Sequence, residues 1–297
     1  MPFTSFKRVA TTAAVVASAL APLASHAAGL DLSRYSLTSS FALPSTASES
    51  SAITWNWNTG TLFVVGDEGE YITEVTRSGT LVGSMRLSGF ADTEALTYIG
   101  NGEFVIGEER IQDVYKLSYQ AGTTVSRNSL QSVSLGATVG NIGLEGISLD
   151  RRNGQFVTVK ESSPQAVQIG TIDFAGGTHT MTNLFTPNLG VSDLSDVQLL
   201  GGFAGASFAD NMLIYSQESQ RLLEVSRTGE LISSFSFTTV SGIAEGVTIA
   251  SDGTIFITDE SPFVYALTAT PVPEPETYAM MLAGLAAIAG VTRRRRA

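Results

Sequence analysis

Four carboxylates recur along this chain at nearly constant distance. Glu94, Glu145, Asp196 and Glu245 lie 51, 51 and 49 residues apart, and each opens a run of apolar residues. A set of acids gathered in one place can hold a cation or trap a proton that one member cannot release. Other donors are scarce. The chain has no cysteine and only two histidines, His26 and His179. Thiolate–zinc sites, thiol catalysis and multi-histidine metal sites are therefore excluded, and a Ser-His-Asp triad would have to run through His179. That residue sits in the glycine-rich stretch GGTHTM and reads as an exposed turn position. Oxygen-only donors suit a hard cation, calcium ahead of magnesium, because calcium accepts irregular sites of many oxygens. The plainer alternative is that each acid caps a strand or accepts backbone N–H groups from a neighbouring one.

Strands must position these acids. Residues 94–110 read EALTYIGNGEFVIGEER, two apolar runs joined at Asn101-Gly102, the strongest short-range hairpin signal. Residues 145–161 (EGISLDRRNGQFVTVKE) and 245–260 (EGVTIASDGTIFITDE) repeat the plan. So do residues 51–68, with Ser51 in the acidic place, and residues 195–218, with a longer turn. Five copies at a period near 50, each followed by further strand signals, indicate an all-β fold: a β-propeller of four-stranded blades, with five favoured over six. Two unrelated β domains would not explain a repeat that runs from residue 51 to 268. The fifth copy has only FVYALTA after its hairpin, and the N-terminal run YSLTSSFAL (35–43) is the strand expected to complete it and close the ring.

A hairpin brings the start of its first strand beside the end of its second. Glu94 is then expected near Glu109, Glu145 near Lys160 and Glu161, Asp196 near Glu218, and Glu245 near Asp259 and Glu260. Asp67 and Glu68 fall beside Ser51. All lie at one mouth of the channel, where Arg110 and Lys160 are the two fixed positive charges. Glu94, Glu145, Glu245 and Asp196 are the candidate calcium ligands. If the mouth is catalytic, the candidates are Glu109, Lys160 and Glu161, with calcium polarising a substrate oxygen and a carboxylate acting as base.

Both ends read as addresses. Lys7-Arg8, the apolar run Val9 to Leu23 and Ser25-His26-Ala27 have the order of a secretory signal peptide over residues 1–27. At the other end come Pro273-Glu274-Pro275, an apolar stretch over 277–292 and Arg293, Arg294, Arg295 and Arg296. A helix over that stretch is short for a membrane span but workable, with the arginines cytoplasmic by the positive-inside rule. The formal net charge is −11, although six basic residues sit in these two ends. So acidic a body repels nucleic acid, and nucleic-acid binding is excluded as a function.

Two resemblances follow from these residues. Residues 273–297 resemble the PEP-CTERM sorting signal. That resemblance implies an exosortase-type processing protease as partner and a Gram-negative, biofilm-forming source. It also implies export through the inner membrane, envelope anchoring by the C-terminal helix, and cell-surface or extracellular release after cleavage. The series DTEALTYIGNGEFVIGEER, GLEGISLDRRNGQFVTVKESSP, LIYSQESQRLLEVSRTGELI and AEGVTIASDGTIFITDESPFVYAL resembles the SdiA-regulated family over about residues 35–270. The resemblance implies a secreted or envelope-associated β-propeller and names no reaction. Asp196 departs from it, since the family usually has glycine there.

The expected function is an exported, calcium-stabilised binding module for a matrix component or small ligand. The alternative is a calcium-dependent lactonase or phosphoesterase acting at the propeller mouth.

Overall fold

A computed structural model of the chain describes residues 30–237, 242–270 and 282–285. The signal peptide, Pro273 to Pro275 and Arg293 to Arg296 lie outside the described residues. Of the expected C-terminal helix, residues 282–285 are helical and exposed. Among the described residues, no helix is long and apolar enough to cross a membrane.

The strands form five blades arranged as the repeat requires. Blade one contains Ser50–Asn56, Thr61–Gly66, Tyr71–Val75 and Leu81–Ser88 from the inside outward. The inner strands of the other four are Thr93–Gly100, Leu144–Asp150, Asp196–Leu199 and Ala244–Ile249. Each inner strand packs beside the next, and the last returns to the first, which closes the ring. The closure uses the N-terminal strand: Tyr35–Ala42 pairs antiparallel with Phe263–Ala269 and becomes the outer strand of blade five. One blade thus joins both ends of the body, so no sheet edge is left between first and last repeats.

Alternation along the strands explains why the blades stack. In Thr61–Gly66, Phe63 and Val65 face blade two, whereas Leu62 and Val64 face blade five. In Glu103–Glu108, Phe104 and Ile106 face blade one while Val105 faces blade three. A strand buried on both sides reads as a continuous apolar run, as FVVG and FVIG do. The core is accordingly divided into five clusters, one at each blade interface.

The inner hairpin of blade two turns as its sequence indicates. Asn101 and Gly102 both take positive φ, 54° and 76°, the pairing that a type I′ turn needs. Two details were not expected. Thr124–Ser126 reaches back from blade two and pairs parallel with the outer strand of blade one. In blade three, the third strand runs from Ala166 and stops at Gly170. The returning chain crosses there: a Cβ on Gly170 would stand 2.7 Å from the backbone of Thr180 and Met181. Beyond the crossing, Ile172–Asp173 and Thr178–His179 form a separate small hairpin. His179 is exposed on it, as expected for a turn-proximal residue.

Candidate functional site

The acids reach the channel because the inner strands slip. In four blades the register shifts at the same place: between Ser50 and Ala52, Thr93 and Ala95, Leu144 and Gly146, and Ala244 and Val247. The residues freed from the ladder are Ser51, Glu94, Glu145, and Glu245 with Gly246. A bulge leaves its extra residue unpaired and re-aims the side chain. Here it turns three glutamates toward a cavity of about 170 Å³, which Glu109, Glu161 and Glu260 also line. Glycine supports the arrangement after two of the acids. A Cβ on Gly146 would stand 2.5 Å from Asp196 Oδ1, and one on Gly246 2.8 Å from the Ser51 carbonyl. Adjacent inner strands meet at these bare backbones.

Blade four differs. Asp196 stays in register opposite Tyr215, with no slip in that strand pair. It is buried and does not border the cavity. Its Oδ1 accepts the Val197 N–H and its Oδ2 accepts the Val247 N–H of blade five, both at 2.7 Å. The mouth position in this blade belongs to Ser195. Ser51, Glu94, Glu145, Ser195 and Glu245 stand three residues ahead of Thr54, Thr97, Ser148, Gln198 and Thr248. That constant offset was visible in the sequence, and it places the repeat one residue earlier in blade four than Asp196.

The second members of the set also separate. Glu109 and Glu161 line the mouth with Glu145, and one carboxylate oxygen of each lies within 4.8 Å of the others. Lys160 does not line it: its Nζ donates to the Ser162 carbonyl at 3.1 Å, and it borders a different cavity with Gln112 and Val159. Glu218 is absent from the lining as well, its backbone N–H being bound by Asp193 Oδ1.

Nine of the thirteen lining residues are carboxylates, and Arg110 is the one basic side chain among them. Arg110 is already committed, pairing with Asp92 at 3.0 Å. Asp193 is committed too, accepting from Ser195 Oγ and from the N–H groups of Gln217 and Glu218. Sequence reading missed both aspartates; each caps the turn that follows its blade's second strand, and no spacing announces such a cap.

The rest of the acids are crowded without a basic partner, although Glu109 accepts the Gly143 N–H and Glu245 the Gln217 amide. Burial, then the charge of Glu245, pushes Glu94 well above the usual carboxylate range. Burial, then Glu94, does the same to Glu145. Burial also raises Glu109, which lies against Glu145. Burial, then Glu260, raises Glu245 to about 8. Two buried oxygens facing this crowd, Asp67 Oδ1 and Glu245 Oε2, have no hydrogen-bond partner among the described residues. A cation in the cavity would lower the repulsion among these acids. Calcium takes oxygens at about 2.3–2.6 Å, so two ligands on opposite sides of one ion stand about 5 Å apart. The Glu109–Glu145–Glu161 set fits that span.

At the opposite end of the inner strands, the hydroxyl and amide ring joins blade to blade. Thr54 Oγ1 accepts the Tyr98 N–H, Ser148 Oγ accepts the Leu199 N–H, and Thr248 Oγ1 accepts the Trp55 N–H.

A family model described as SdiA-regulated matches residues 27–268, and one described as the PEP-CTERM protein-sorting motif matches residues 271–296. Among solved structures, the glutaminyl cyclase of Myxococcus xanthus aligns at 12% identity and TM-score 0.55, covering 80% of this chain and 97% of that one. A streptogramin B lyase aligns at 17% identity and TM-score 0.44, covering 81% and 74%. The virginiamycin B lyase of Staphylococcus aureus aligns at 12% identity and TM-score 0.45, covering 80% and 100%. The cyclase likeness is one of fold. The sorting motif implies export and processing by an exosortase, a membrane protease.

Proposed function

This chain belongs to the SdiA-regulated family, and on that premise we propose that it is an exported propeller whose acidic mouth binds calcium and which serves as a binding module. The observation that carries the proposal is the Glu109–Glu145–Glu161 oxygen set, within 4.8 Å, in a mouth of nine carboxylates. Glu94 and Glu245 line the same cavity, and Glu245 Oε2 has no hydrogen-bond partner among the described residues. Bound there, the ion supplies positive charge that ties blades two and three to each other. Its function in this reading is to stiffen the ring from which the loops present themselves to a ligand.

Millimolar calcium is expected to raise the melting temperature of the wild-type protein by several degrees. A ligand present at about a hundred times its Kd adds roughly 2.7 kcal/mol, and a body of this size shifts about 2–4 °C per kcal/mol. Glu145→Gln should melt at or above the wild-type temperature in chelator and gain much less from calcium. Glu94→Gln, which lines the cavity outside the set, should lose part of the gain. A calcium increment that is absent from the wild type, or intact in Glu145→Gln, refutes the site.

The hydrolase reading would use the same ion, with Glu109 or Glu161 as base. Burial raises both carboxyls above the usual carboxylate value, the direction that strengthens a base. Lys160 and His179 lie away from the mouth, which leaves this reading with fewer groups than the sequence offered it. A panel of lactones and phosphoesters, assayed with and without calcium, is expected to show no turnover. Turnover that needs calcium and disappears in Glu109→Gln would make the protein an enzyme.

A further inference from the structure

The other mouth of the channel is lined by hydroxyl, amide and aromatic side chains and by no carboxylate. It is bordered by Trp55, Trp57, Tyr98, Leu199 and Phe203, and its one basic side chain is Arg151. Arg151 lies in the turn after the inner strand of blade three, yet its guanidinium stacks over the Trp57 ring of blade one, 4.2 Å from the centroid. It reaches there past blade four, where a Cβ on Gly202 would stand 2.3 Å from Arg151 Nη2. A single side chain thus crosses the mouth, and glycine at 202 leaves it room.

Its neighbours in sequence are paired and it is not. Arg152 holds Asp150 at 2.8 Å and Asp210 at 2.6 Å, and Arg227 holds Asp150 at 2.7 Å. No carboxylate among the described residues pairs with Arg151. Burial without a countercharge lowers its pKa. The residue is still exposed along part of its length, so a solute can reach it. No hydrogen bond is donated by the Arg151 guanidinium among the described residues, and a free guanidinium matches a carboxylate in a two-pronged hydrogen bond.

We propose that this mouth is a second binding site, for a solute that presents one carboxylate to Arg151 ahead of a flat, partly apolar body. The size of the cavity sets the first half of that description. About 40 Å³ is room for about three water-sized groups, the bulk of a carboxylate and too little for a ring. The body of the ligand therefore stays outside, against the rim of Trp55 and Phe203. This site is at the far end of the inner strands from the acids and does not depend on calcium.

The chain contains two tryptophans in all, Trp55 and Trp57, and both border this mouth. Intrinsic tryptophan fluorescence consequently reports on this site alone. Titration of the purified protein with benzoate is expected to give a saturable change in emission, and benzamide at the same concentrations none. Arg151→Gln should weaken the benzoate response about tenfold or more, the effect of losing a charge-assisted hydrogen-bond pair. Arg151→Lys, which keeps the charge and loses the fork, should fall between. The Lys variant also keeps the test decisive if Arg151→Gln fails to fold. Glu145→Gln and added chelator should leave the response unchanged, which separates this site from the calcium mouth. No saturable change, an equal response to benzamide, or a wild-type response in both Arg151 variants would mean that Arg151 is a structural plug, and the proposal falls.

Discussion

Raising the pH of the calcium-free protein from about 4.5 to just above about 8, the value of Glu245, is expected to lower its melting temperature steadily. Glu94, Glu145 and Glu245 have folded-state pKa values above the ordinary carboxylate value. The folded protein therefore binds their protons more tightly than the unfolded chain does. Such a group contributes stability that is fully present below its unfolded pKa and is lost as pH rises through its folded pKa. For Glu245 the interval runs from 4.5 to about 8. At about 1.4 kcal/mol per unit, that one group sets a loss on the order of 5 kcal/mol across the window. A loss of that size lowers the melting temperature by about 10 °C or more. Asp150 and Asp252 shift downward, held by Arg152 and Arg77, so their contribution changes only as pH falls through the acid range, below this window. Calcium should remove most of the alkaline fall, because the ion replaces the protons and its affinity rises as they leave. A flat melting profile in chelator would show that the acids are not crowded in the folded state. A slope that calcium leaves untouched would show that they are crowded but do not hold the ion.

Asp196→Ala is expected to destabilise the protein by about 2–5 kcal/mol, the cost of two buried N–H groups left without acceptors. Those groups belong to Val197 and to Val247, on adjoining blades, so the loss falls on the junction of blades four and five. Asp196→Asn keeps one acceptor and turns an amide NH₂ toward the other N–H, for a loss of about 1–3 kcal/mol. Thermal melting with and without calcium separates this role from a ligand role. A blade staple lowers both melting curves equally. A calcium ligand would lower only the increment that calcium adds, and that result would return Asp196 to the mouth.

Asp196 also shows where reading the sequence reached its limit. A period near 50 aligned it with Glu94, Glu145 and Glu245, and residue type supported the alignment. The period does not reveal a bulge. In a strand, one residue of slip exchanges the channel side for the blade interior, so an error of one position moves a carboxylate from a shared cavity into a backbone clamp. Lys160 went astray for a similar reason. Its neighbour Glu161 faces the channel mouth, while Lys160 turns to the crevice between blades two and three. Arg151 drew no notice, because a turn arginine beside Asp150 and Arg152 looks like part of a surface ion-pair group. Only the path of the chain shows that its two neighbours use the available acids and leave it to cross the channel.

The sequence by itself determined the hairpin repeat and its four-stranded plan, favoured five copies over six, and determined the closing strand from the N-terminus and the acidic character of the mouth. These follow from local facts: alternation, turn residues, composition and period all act over a few residues or repeat along the chain. Tertiary structure alone decided which acids share a cavity and which are taken up by neighbouring backbone. It also decided which charges are left unpaired and what stands at the second mouth. Those depend on side-chain direction and on contacts between residues some fifty positions apart or more, where the burial of one group is set by its neighbours in the next blade.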